Sequence, residues 1–357
     1  PSAHAADAPA AGKTVTVVHD PQSPTCGLQE AIDRLAGRAG EVVIPPGRYL
    51  LRAPVRMERE DGAPLTIRGA GPATVLEAVS DFSSLLRRDA QRGDPAIVLQ
   101  DAEGLTPGDA LFLCDGKTNP RRVSPIGVAE VHAEGRVVLE RPLPRTLLVR
   151  EDAFASRSWP LLVFEGHDLV LRDLAVVGSL RKHFQGRSGW GHNSAVVLNG
   201  ASTGGRIRVE NLDIRDAPAD GLLMGGKGLY LIRGCTIENT AHRAIHAGNN
   251  ATRFRILGNH IAGAGLMGVY FCHGIQHSVV ADNIIMDIGW YETDTGTVRR
   301  IDRLAERYRY DTLPEARRRE SIMQHIAGIG GLGGGGRLDR YDILANNVIA
   351  RVAGAGI

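Results

Sequence analysis

The phrase Ile232-Arg-Gly-Cys-Thr-Ile237 returns as Ile256-Leu-Gly-Asn-His-Ile261 and again as Val280-Ala-Asp-Asn-Ile-Ile285. Weaker copies stand at Leu171-Arg-Asp-Leu-Ala-Val, Val209-Glu-Asn-Leu-Asp-Ile and Leu344-Ala-Asn-Asn-Val-Ile. The fourth residue of each copy, Leu174, Leu212, Cys235, Asn259, Asn283 and Asn347, gives intervals of 38, 23, 24, 24 and 64. A short repeat of 23 or 24 residues cannot bury its own apolar face. It becomes stable only by stacking on its neighbours, as one turn of a parallel β-helix does. The long intervals are then coils carrying insertions, at 181–193 and 289–336. A leucine-rich repeat of similar period would show fixed leucines and a helix in every unit, and neither is present.

Each marker is followed about ten residues later by a second apolar phrase: Gly221-Leu-Leu-Met, Ala244-Ile-His-Ala, Gly268-Val-Tyr-Phe and Gly356-Ile357. Asn259, Asn283 and Asn347 are expected to stack at one corner, bonding from coil to coil. Towards the N-terminus, Gly27-Leu-Gln-Glu-Ala-Ile-Asp-Arg-Leu-Ala-Gly37 has helical spacing and leads into Glu41-Val-Val-Ile-Pro-Pro-Gly-Arg-Tyr-Leu-Leu51, which predicts a helix capping the first coil. Residues 95–160 break the period with Leu105-Thr-Pro-Gly-Asp-Ala-Leu-Phe-Leu and Val128-Ala-Glu-Val-His-Ala-Glu-Gly-Arg-Val-Val-Leu, which read as short strands and hairpins. Together with Leu65-Thr-Ile-Arg-Gly-Ala-Gly71, this opening resembles the start of the pectin lyase-like superfamily. The resemblance implies an all-β, single-stranded right-handed parallel β-helix, with a capping helix and a small β insertion, and a protein that acts on polysaccharides.

The organisation expected is a tail or export-signal remnant over 1–24, the capping helix and first coils over 25–94, the β insertion over 95–160, and regular coils over 161–357 that stop in mid-coil. In the tail, Ala3-His4-Ala5 has the A-x-A form of a signal-peptidase site, and a low-complexity Ala-rich tail reads equally well. A secreted or periplasmic location is the expectation. Composition sets further bounds. The 43% hydrophobic content supplies a substantial core, and the balance of 42 basic against 40 acidic residues provides no global field to recruit nucleic acid or an anionic membrane. No apolar run approaches the roughly 20 residues needed to span a bilayer. Cys26, Cys114, Cys235 and Cys272 lack the spacing of a metal site or a disulfide framework.

Strand alternation locates the candidate site. If Leu222, Ile245 and Val269 point inward, then Leu223, His246 and Tyr270 point outward. Coils about 4.8 Å apart bring His246 beside Tyr270. Asp220 and Arg243 stand at the preceding turn, and Lys227, Asn249 and His273 just beyond the strands. Such a mixed ladder suits β-elimination from a uronate-containing polymer. Arg243 or Lys227 neutralises the sugar carboxylate, His246 or Tyr270 removes the acidified C5 proton, and the other protonates the leaving oxygen. An outward His or Tyr is also ordinary surface filler, and Arg243 with Asp220 is also an ordinary ion pair. The 181–193 insertion adds Lys182, Trp190 and His192, which make either a sugar-binding wall or a surface loop. The 289–336 insertion reads as a lid or an assembly surface, with a charged helical stretch from Thr297 to His325 and a glycine hinge over 328–336.

Two other function classes compete. A glycoside hydrolase or transferase needs two carboxyl groups about 5 to 9.5 Å apart, and its candidates are Asp220, Asp287, Glu292 and Asp294. The aspartate signatures of polygalacturonases and the D-P-H-D type motif of alginate epimerases are absent. A non-catalytic polysaccharide-binding or structural β-helix is the third class, although a purely structural face is expected to be more uniform in Thr, Ser, Asn and Val. No cofactor is expected; calcium is unsupported, since the aspartate cluster of pectate lyases is missing. The partner expected is a polysaccharide, and the chain a monomer or homotrimer.

Overall fold

The structure is a computed structural model that describes residues 12–59, 62–79, 82–115, 121–182, 193–200, 204–248, 253–272, 275–300, 326–331 and 342–357. The chain winds into a parallel β-helix with three faces. The first face stacks Lys13–Thr16, Gly40–Val43, Leu65–Arg68, the first half of Asp168–Val177, the first half of Arg206–Ala217, Leu229–Arg233, Phe254–Leu257, Val279–Ala281 and Ile343–Ala345. The second face stacks Gly47–Leu51, Thr74–Ala78, the later halves of the same two long strands, Thr236–Thr240, His260–Ala264, Ile284–Ile288 and Val348–Val352. The third runs Val55–Arg59, Leu162–Gly166, Val196–Gly200, Leu222–Gly226, Arg243–Ala247, Met267–Phe271 and Ala327–Gly330. Pairing is parallel and in register, so inward side chains stack in columns from coil to coil, most of them apolar. One such column is Leu162, Val196, Leu222, Ile245, Val269 and Ile329.

The repeated phrase owes its form to the corner between the first two faces. In each copy the third residue takes positive φ: Asp173, Asn211, Gly234, Gly258, Asp282 and Asn346, with φ between 52° and 63°. That conformation suits Gly, Asn and Asp and turns the strand sharply. The fourth residue then points inward. The expected ladder forms there: Asn259 Nδ2 donates to Asn283 Oδ1 at 2.9 Å, and Asn283 Nδ2 donates to Asn347 Oδ1 at 2.9 Å. The amide oxygens also accept backbone N–H groups of the preceding coil, from Cys235, Asn259 and Asn283.

The capping helix is Leu28–Asp33, with Leu28, Ala31 and Ile32 buried against the core. Its Gln29 side chain imitates a strand. Nε2 donates to the Arg56 carbonyl at 3.0 Å and Oε1 accepts the Arg56 N–H at 2.8 Å, closing the open edge of the third face.

Several expectations are corrected. The inserted sheet begins before residue 95: its strands are Ser83–Leu85, Phe154–Ser156, Ala110–Asp115, Arg121–Val131, Arg136–Leu139 and Ala96–Val98, in that spatial order and all antiparallel. Ser83–Leu85 is too short to show a period and is a strand only because Phe154–Ser156 pairs with it. The sheet has its own core, including Leu86, Leu99, Leu113, Val128 and Val137, and is tied to the coils by Trp159 Nε1 donating to the Ala110 carbonyl at 2.8 Å. Ala327–Gly330 is a strand on the third face rather than part of a hinge. Thr297 to Arg299 lies in a hairpin strand, Gly296–Arg299, opposite Trp290–Thr293, rather than in a helix. Of the tail expected over 1–24, residues 1–11 lie outside the described residues, as do 301–325 and 332–341, whereas Lys13–Thr16 is not tail but the first strand of the first face. No described helix is long and apolar enough to cross a membrane.

Candidate functional site

Leu222, Ile245 and Val269 are fully buried on the third face, and the alternating Leu223, His246 and Tyr270 stand in one outward row. The row continues to Gly330 on the next coil, and Gly331 packs close against the Tyr270 ring. His246 and Tyr270 lie with ring centroids 5.0 Å apart, tilted by 60°.

Asp220 sits in the turn leading into Leu222–Gly226, and its carboxylate is completely buried. Its Oδ1 accepts the backbone N–H of Arg243 at 3.1 Å, and Oδ2 lies 2.7 Å from His246 Nδ1. The Arg243 guanidinium approaches Asp220 Oδ1 at 3.6 Å and lies 4.4 Å from the centre of the Tyr270 ring. Burial opposes ionisation of Asp220. The charges of His246 and Arg243 and the hydrogen bond from His246 override it, holding the carboxyl far below its ordinary range. For His246, burial pulls the pKa down. The Asp220 charge and hydrogen bonds to Asp220 and Cys272 outweigh burial, so the net shift is upward. Burial pushes Tyr270 up to about 12, aided by the neighbouring Cys272. The phenol therefore keeps its proton at neutral pH.

The result is a buried acid orienting a partly exposed imidazole. With the carboxylate accepting at Nδ1, the basic lone pair of the neutral ring is at Nε2. Asp220, Arg243, His246 and Tyr270 are thus brought together. Arg243 is turned towards Asp220 and the Tyr270 ring, with its side chain only 6% exposed. A direct grip on a sugar carboxylate does not fit that burial; the guanidinium packs against Asp220 and the Tyr270 ring instead.

Other expected residues lie elsewhere. Lys227 is exposed in the turn after Leu222–Gly226, beyond the row of the dyad. Lys182 is turned to the second face, where Nζ pairs with Glu77 and donates to the Ala78 carbonyl at 2.9 Å. Asn249, His273, Trp190 and His192 lie outside the described residues. Asp287 pairs with Arg351 at 2.7 Å and Glu292 with Arg181 at 2.7 Å, while Asp294 is exposed in the hairpin. None of these three carboxylates joins the Asp220 cluster, and Asp220 itself is sealed from any ligand. Among the described residues no group of three His, Cys, Asp or Glu side chains is arranged to hold a metal.

Two residues were missed. Cys272, two positions past Tyr270 and so on the same outward side, receives the Tyr270 hydroxyl hydrogen bond on Sγ at 3.7 Å. Extending the alternation by one step would have found it. His242 is buried, places Nε2 2.9 Å from Arg300 Nη2, and is a minor contributor to the lowered pKa of Asp220. Nothing local to the sequence announces that contact, because Arg300 arrives from the hairpin.

Residues 184–297 match the family model described as right handed beta helix region. This chain contains a right-handed β-helix. The match covers most of the regular coils and every residue of the dyad. No curated protein sequence matches. Among solved structures, the chain is similar to Geobacillus virus E2 ORF18 (12% identity, TM-score 0.43), covering 76% of this chain and 42% of that one. It is also similar to a protein described as a glycoside hydrolase (9% identity, TM-score 0.39, 78% of each chain) and to XylC in complex with xylose (10% identity, TM-score 0.44, 79% of this chain and 60% of that one). At these identities the likeness is one of fold. The chain spans less than half the length of the viral protein.

Proposed function

We propose that this β-helix acts on a polysaccharide, cleaving a uronate-containing polymer by β-elimination at the third face. The observation that carries the reading is the 2.7 Å contact of buried Asp220 with His246, beside Tyr270 on the next coil. His246 is the base that removes the C5 proton. Tyr270, whose proton is held to high pH, is the acid that delivers one to the leaving oxygen. Arg243 holds positive charge beneath the two rings, which favours the carbanion-like transition state. A stacked parallel face also offers the extended surface a polymer needs. Paired-carboxylate hydrolysis is less well served, because Asp220 is inaccessible and the other candidate carboxylates lie apart from it.

The test is incubation with acidic and neutral polysaccharides, read by near-ultraviolet absorbance and reducing ends on the same samples. New absorbance is expected, falling by about 10²–10⁴-fold in His246→Ala and in Tyr270→Phe. Reducing ends without absorbance would overturn elimination in favour of hydrolysis, and neither signal would leave a binding module.

A further inference from the structure

The third face carries a nucleophile that elimination does not use. Cys272 is partly exposed, whereas Cys26, Cys114 and Cys235 are buried. Its backbone N–H donates to the Ala247 carbonyl at 2.8 Å, which fixes it over the coil of His246. Tyr270 Oη donates to Sγ at 3.7 Å, and the Tyr270 ring lies 5.0 Å from the His246 ring, so the thiol stands on the outward side beside the imidazole and helps to raise its pKa. Asp220, His246 and Cys272 therefore follow one another on three successive coils, with the base between a buried acid and a thiol. A weak nucleophile placed beside a base that is itself oriented by a third group is the arrangement that activates acyl-transfer enzymes.

We propose that Asp220, His246 and Cys272 form a nucleophilic triad that hydrolyses a carboxylic ester carried by a ligand on this face. His246 takes the thiol proton as Sγ attacks the ester carbonyl carbon. The tetrahedral intermediate collapses, the acyl C–O bond breaks, and His246 returns the proton to the departing alkoxide. Water, activated by the same imidazole, then cleaves the thioester, releasing a carboxylic acid and restoring the thiol. Asp220 holds the ring and balances its positive charge. The Tyr270 hydroxyl, donating to Sγ, favours the thiolate. The other thiols serve as internal controls, since burial pushes Cys235 up to about 12 and raises Cys26. This activity uses the imidazole of the proposed elimination but breaks a different bond, and so does not rest on that reading.

The test uses the full chain with iodoacetamide, followed by peptide mass spectrometry, and with p-nitrophenyl acetate as the ester. In the unmodified protein Cys272 is expected to alkylate about a hundredfold faster than the three buried cysteines. Acid quenching of the ester reaction is expected to trap an acetyl group on Cys272. Ester turnover should vanish in Cys272→Ser and fall about a hundredfold in His246→Gln. Equal alkylation of all four thiols, or turnover that survives Cys272→Ser, would overturn the triad. The absorbance assay on the same samples separates the two readings: absorbance without a trapped acyl group supports elimination and sinks the triad, and a trapped acyl group without absorbance does the reverse.

Discussion

Asp220 decides the behaviour of the site at the residue scale. Removing its charge leaves His246 and Arg243 buried without their counter-charge, which costs about 3–5 kcal/mol. Asp220→Asn is therefore expected to lower stability by that amount in denaturant titration. In the folded variant the pH–rate midpoint should move down, because burial, which depresses the imidazole pKa, is then opposed only by Cys272. The stability linkage has two limits of opposite sign. Asp220 has a lowered pKa, so its contribution is complete above the unfolded value of about 3.9 and is lost as pH falls through the folded value. His246 has a raised pKa, so its contribution is complete below about 6.5 and is lost as pH rises through the folded value. The stability difference between wild type and His246→Gln should thus be greatest between about pH 4 and 6.5. A difference that stays unchanged as the pH is raised well above 6.5, measured by urea melts, would contradict the pairing.

At the scale of the element, the corner phrase separates backbone from side-chain effects. Gly258 has φ 61° and open space where a Cβ would stand. Gly258→Ala is therefore expected to cost about 1–2 kcal/mol from backbone strain alone, and Gly258→Asn distinctly less, since Asn tolerates that conformation. Asn283 is a different case. It is fully buried, donates to Asn347, Ile256 and Ala281, and accepts from Asn259. Asn283→Ala should cost about 3 kcal/mol, because partners on both neighbouring coils lose their bonds. Thermal melts of the three variants check the order. The ladder was legible from the sequence because its asparagines recur at the coil period. The Gln29 bond to the Arg56 backbone was not, because a side chain standing in for a strand leaves no periodic mark.

For the whole molecule, two hydrophobic cores matter: one fills the coils and the other lies within the inserted sheet. Leu113 is fully buried in the second. Leu113→Ala is expected to destabilise that sheet by about 2–5 kcal/mol. Hydrogen exchange should then quicken over 83–156 while the coils around Asp220 and Tyr270 keep their protection, and activity per folded molecule should not change. Loss of protection in both regions together would show instead that they unfold as one unit.

The recurring phrase by itself determined the coil, the asparagine ladder, the inward column of Leu222, Ile245 and Val269, and the outward pair His246 and Tyr270. These follow from two short periods, the strand alternation and the coil length, both carried by neighbouring residues. Tertiary structure alone decided which side chains meet across a change of phase. Ala327–Gly330 rejoins the third face only because Met267–Phe271 offers it hydrogen bonds, and Ser83–Leu85 is a strand only beside Phe154–Ser156. Asp220 lies in a turn, where no period says which way a side chain points, and Arg243 opens the strand Arg243–Ala247 in the buried phase of Ile245 rather than in the turn expected for it. Their burial, and the bond that joins Asp220 to His246, arise when one coil settles on the next.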